Sequence, residues 1–234
     1  MRSFVLIMVC ITTIQSVIAQ KPDYQVWNDF LENHVDAEGW VDYKSISNNK
    51  DELKVVLNML VKNQPLDDWS QDERKAYWIN AYNAYTIKLI IDHYPLESIR
   101  DINGPWQKDF IPWDGDLIDL DHIEHDILRK TGDPRIHFAI NCASVSCPKL
   151  LNRAYIPELL DEQLDQVTAG FINNTEKNEL GNDRIRLSKI FRWYRQDFTE
   201  GEELIDFLNR YAAQKVEPGT AVTFMDYNWA LNER

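Results

Sequence analysis

Within the stretch RIHFAINCASVSCPKL, residues 135 to 150, His137, Asn141, Cys142 and Cys147 fall inside eleven positions. A thiolate there could attack acyl carbons or disulfides, provided a nearby base lowers its pKa and a third group orients that base. His137 is the nearest candidate base, and Asn141, on the same face of an alternating strand, could orient its ring. The same two cysteines, with four residues between them, could instead close a disulfide in an oxidising compartment and lock the loop. Zinc is a third reading, but it needs about four ligands, and the second cysteine pair of the usual signature is missing. Spacing leaves the three open.

Two further groups of residues could join that chemistry. HIEHD places His122, Glu124, His125 and Asp126 on one helix, where i, i+3 or i+4 neighbours could chelate a metal or could form a solvated polar face. Metal-dependent hydrolysis through His122, His125 and His137 is therefore an alternative to thiol chemistry. Asn80 and Asn83 fall on the same arc of a helix as Ala76, Ile79, Ile87, Ile90, Ile91 and Tyr94. Buried amides must be hydrogen-bonded, so these two either bind backbone of a neighbouring loop or line a site. His34 and His93 have no chemical companions.

The elements that must position these groups are mostly helical. Apolar spacing predicts helices over 24–35 and 51–63. Ser70 with Glu73 forms a capping box that starts a helix running to just before Pro95. Residues 116–130 predict a helix capped by Asp119 or Asp121, and RIHFAIN (135–141) reads as a buried strand with His137, Ala139 and Asn141 on one face. Helices are expected again within 156–174, after the strand opening DRIRLSKIFRWYRQDF, and at EELIDFLNRYA, with VTFMDYNWAL as a closing strand. SIRDINGPWQKDFIPWDG reads as irregular or short-stranded. The mixture indicates an α+β fold, a single compact domain that is helix-rich with a small sheet.

Residues 1–19 have the layout of a cleaved signal peptide: Arg2, an apolar run from Phe4 to Ile14, and small Ala19 before Gln20. The run is shorter than the ~20 residues that span a bilayer, and Cys10 is read as part of the leader. The chain is then expected to be exported, secreted or periplasmic, with one domain over 20–234 and no stable membrane insertion. Removing 1–19 takes away Arg2 and no acid, moving the net charge from -13 to -14. So acidic a chain argues against nucleic acid and anionic membranes as partners. A content of 44% hydrophobic residues with eight tryptophans suffices for a core without disulfides.

Seven blocks in order, VDYKSI, AYWINAYNAYTI, HYPLESIRDI, IEHDILR, DPRIHFAINCASVSCPKL, LSKIFRWYRQDF and YNWALN, resemble the domain of unknown function 547 (DUF547) family over residues 40 to 232. The resemblance implies a fold without an established reaction. It places Asn80, Asn83, Glu124, His125, His137, Cys142, Cys147 and Pro148 at the family's patterned positions. It also implies relatives both exported and intracellular, which puts a site reading on a par with a purely structural disulfide. A weaker likeness is to papain-like and transglutaminase-like enzymes, whose helix cysteine is replaced here by Asn80 or Asn83. The reading that results is a thiol-dependent hydrolase or acyl transferase. Cys142 is its nucleophile, His137 its base, and Asn80 or Glu124 the orienting or oxyanion-stabilising group. Asn83, His125, Asn141 and Cys147 then serve binding, for an unidentified small-molecule or peptide ligand and without cofactor or metal. The alternative is a non-catalytic binding or scaffold domain with Cys142 and Cys147 paired.

Overall fold

Ser70 starts the central element as expected. Its Oγ accepts from the Glu73 N–H at 3.2 Å while Glu73 Oε2 accepts from the Ser70 N–H at 2.8 Å, and helix α4 then runs over Gln71–His93. The computed structural model describes residues 21–181 and 183–234; the expected leader, with Cys10, lies outside the described residues. Helices α1 (Gln25–His34), α2 (Tyr43–Asn48) and α3 (Asp51–Lys62) precede α4, and both α2 and α3 pack on it. A π-helical segment, His122–Leu128, also packs on α4. The apolar arc of α4 is consequently wider than its spacing suggested, since Tyr77, Trp78, Tyr82, Tyr85 and Leu89 are buried as well. One continuous core runs from Tyr24 to Leu231.

Two small sheets complete the α+β arrangement. Strands β1 (Ile111–Trp113) and β2 (Asp116–Ile118) form a hairpin, with Ile111 opposite Ile118. Its two-residue turn, Asp114-Gly115, has positive φ at both positions (48° and 87°), as the right-handed twist of a hairpin favours. In the second sheet β4 (Arg184–Leu187) lies between antiparallel β3 (Glu179–Leu180) and parallel β5 (Ala221–Phe224). Helix α5 (Leu160–Ile172) follows a short 3-10 turn, and α6 (Ile190–Trp193), α7 (Arg195–Phe198) and α8 (Leu204–Tyr211) come later. After β5 the chain is extended and makes single bridges to Ser98, Ser144 and Val41 rather than a continuous closing strand.

RIHFAIN is not a strand. Asp133 Oδ1 accepts from the Arg135 N–H at 3.1 Å, Pro134 sits in the first turn, and Pro134–Phe138 form a 3-10 helix. All residues from Ile136 to Asn141 are buried, so alternation carried no information about which side faces the core. The shared face proposed for His137 and Asn141 disappears with the strand.

Both Asn side chains of α4 bind backbone. Asn80 Nδ2 donates to the Tyr155 carbonyl at 2.7 Å and its Oδ1 accepts from the Tyr155 N–H at 3.0 Å. Asn83 does the same for the Ala139 carbonyl (3.0 Å) and the Asn141 N–H (2.8 Å). Replacing Asn83 with Ala strands one buried acceptor and one buried donor, each costing about 1–3 kcal/mol. Asn83→Ala is therefore expected to lower unfolding stability by about 2–4 kcal/mol in urea titration; a loss under about 0.5 kcal/mol would show that the amide holds nothing.

Candidate functional site

The loop that follows the 3-10 helix is drawn tight by Asn141, whose Nδ2 donates to the Pro148 carbonyl at 2.7 Å and whose Oδ1 accepts from the Ala143 N–H at 2.8 Å. Cys142 and Cys147 are joined as a disulfide, with Cα atoms 6.3 Å apart. Tyr227 reaches this loop from the extended segment after β5 and donates its O–H to Cys147 Sγ at 3.3 Å. Beside the disulfide lies a cavity of about 310 Å³. Tyr82 of α4, Glu124 and His125 of the π-helical segment, His137, and an aromatic wall of Trp106, Trp193, Tyr194, Tyr227 and Trp229 line it. A larger cavity, about 630 Å³, shares Cys147 and Pro148 with the first and is bordered by Lys149 and Lys177.

His137 is held by one carboxylate and a stacked ring rather than by a thiol. Its Nε2 donates to Asp197 Oδ2 at 2.7 Å, and its ring stacks on Tyr194 with centroids 3.9 Å apart. Its Nδ1 stands 3.9 Å from Glu124 Oε1, too far for a hydrogen bond, and has no partner. Arg129 grips Asp197 from the other side through Nε and Nη2, both at 2.7 Å. Partial burial pushes the Asp197 carboxyl up, but the bonds and charges of Arg129 and His137 outweigh it and hold the group well below the usual carboxylate range. Glu124 accepts from the Tyr82 O–H at 3.2 Å. Burial first, and the Glu124 carboxylate next, push the Tyr82 and Tyr194 phenols well up, so both stay protonated donors at neutral pH.

Residues 66–172 match the family described as protein of unknown function, DUF547. That stretch of the chain is similar to DUF547 domains. No curated protein and no solved structure matches the chain significantly. Of the seven blocks that carried the resemblance, four lie inside the DUF547 match and three outside it. The matched stretch supplies Tyr82, Glu124, His137 and both cysteines, whereas Trp193, Tyr194, Asp197, Tyr227 and Trp229 come from beyond it.

The expected DUF547 site residues thus separate. Glu124, His125, His137, Cys142 and Cys147 meet at one cavity, while Asn80, Asn83 and Asn141 are absorbed in backbone bonds. His125 faces Arg129 Nη1 at 3.2 Å, and His122 pairs with Asp126 at 3.4 Å. Among the described residues no three His, Cys, Asp or Glu side chains converge as a metal site. The histidine on a 3-10 turn also departs from the strand-borne histidine of papain-like enzymes. Sequence reading missed Arg129, Asp197 and the aromatic wall; the interleaved aromatics and charges of FRWYRQDF were the local signal for Trp193, Tyr194 and Asp197 alone.

A carboxyl depressed in the fold stabilises it above the unfolded value, ~3.9 for Asp, and that contribution fades as pH falls through the folded value. Asp197→Asn should therefore destabilise the protein at pH 7, with the gap from the parent narrowing below about pH 4. Denaturant titrations across pH measure it, and a gap independent of pH would assign the loss to packing alone.

Proposed function

We propose that this chain is an exported binding domain, whose ligand, a small molecule or one side chain of a peptide, sits in the cavity beside Cys142 and Cys147. The observation that carries the reading is the cavity itself: apolar ring faces surround a few fixed polar groups, the usual composition of a ligand pocket. Export is supported by the leader-like residues 1–19 and by the disulfide, which persists where the compartment is oxidising. In this reading the disulfide shapes the pocket wall, and the Arg129–Asp197–His137 chain fixes the ring stack behind it.

Cys142, Glu124 and His137 share that cavity, which favours a thiol-dependent hydrolase or acyl transferase as the second reading. It requires the reduced protein, because the nucleophile is a thiolate and a disulfide offers none. It also makes His137 a positioning group, since its side chain is 1% exposed and its Nε2 is committed to Asp197.

Peptide mapping with alkylation before and after reduction tests the pairing, and reduction is expected to cost about 2 kcal/mol of stability, as for a short closed loop. Ester, thioester and amide substrates, offered to both redox forms, test the function. The binding reading expects no turnover in either. Turnover that appears on reduction and vanishes in Cys142→Ser would replace it with the thiol reading.

A further inference from the structure

We infer that the cavity receives an organic ammonium head, held between aromatic ring faces and the Glu124 carboxylate; this rests on the binding reading above. Asp121 and Glu124 line the cavity, and no lysine or arginine does among the described residues. Glu124 is 5% exposed, and among the described residues it makes no ion pair with lysine or arginine. Its nearest basic atom is His137 Nδ1, 3.9 Å away and itself buried without a partner. The nearly buried Glu124 side chain meets the Tyr82 and Tyr194 phenols and feels the Arg129 charge only from beyond ion-pair distance, so it has no cation in direct contact.

The rings supply the rest of the recognition. Trp106, Trp193, Tyr227 and Trp229 touch one another with centroids 4.5–5.7 Å apart, and most pairs are inclined, at 48°, 54° and 65°. Inclined faces enclose a compact cation, each ring presenting its negative quadrupole, whereas a sugar favours one flat platform. Two rings of the cavity wall already meet the chain's own cations: the Arg100 guanidinium lies 5.4 Å from the Trp229 ring and that of Arg129 lies 5.5 Å from Tyr194. A volume of about 310 Å³ suits a trimethylammonium or short alkylammonium group, and the net charge of -13 draws cations to the surface.

Titration calorimetry on the oxidised full chain tests the inference with four probes: choline, its uncharged counterpart 3,3-dimethyl-1-butanol, acetyl-lysinamide and glucose. An ammonium probe is expected to bind roughly tenfold tighter than the uncharged alcohol. Tighter binding of choline assigns the head to a free quaternary ammonium compound, and tighter binding of acetyl-lysinamide assigns it to a peptide lysine. Glu124→Gln should weaken the ammonium probe roughly tenfold and leave the alcohol unchanged. Asp121→Asn, a partly exposed position, should shift the same preference in the same direction if the Glu124 variant fails to fold. Equal binding of choline and the alcohol, or preference for glucose, would overturn the ammonium inference and leave the binding reading standing. Binding of none of the four would overturn the inference, and failure of a broad fragment set as well would overturn the binding reading with it.

Discussion

A chain built mostly of helices leaves long connecting stretches of backbone without a ladder to pair in, and every buried N–H and C=O among them needs a partner. Here buried side-chain amides provide it. Asn80, Asn83, Asn141, Gln163 and Asn178 each donate to one backbone carbonyl and accept from one backbone N–H. A side-chain amide used this way imitates a peptide unit of a missing strand. Asn232 adds a further case, donating to the Gly39 carbonyl and accepting from the Tyr43 O–H.

The cavity depends on that device. Asn83 fixes the chain at Ala139 and Asn141, immediately before Cys142, and Asn141 fixes the turn from Ala143 to Pro148. Close packing reinforces it: Gly39, with φ of +86°, lies so near Leu150 that a Cβ would come within 2.8 Å of its backbone nitrogen. With the disulfide loop and His137 placed by α4, the Asp197–Arg129 pair and the segment bearing Tyr227 and Trp229 close the remaining sides. Polar chemistry and aromatic surface therefore meet at a point assembled from six separate parts of the chain. Such a site is rigid only if its loops are.

Helix α4 was legible because Ser70, Glu73 and Pro95 are local signals, and the amide partners of Asn80 and Asn83 were foreseeable because burial forces satisfaction. RIHFAIN misled because a segment buried on all sides shows no period, while the decisive features, Asp133 as cap and Pro134 after it, belong to turn chemistry. Cys142 and Cys147 showed a disulfide as one of three outcomes; spacing alone does not set a redox state. Asp197 and Arg129 were hidden for a different reason: they lie 68 residues apart and acquire meaning only when the fold joins them at His137.

Side-chain amides are expected to make these loops part of the same cooperative unit as α4. Native-state hydrogen exchange at the Asn141 and Tyr155 amides, which donate to Asn83 and Asn80, tests it directly. Both amides are expected to exchange only through global unfolding, with the same opening free energy as core amides of α4 such as Ile87. Exchange at clearly lower free energy while α4 stays protected would contradict the account, and would mean that the loops around the cavity open on their own.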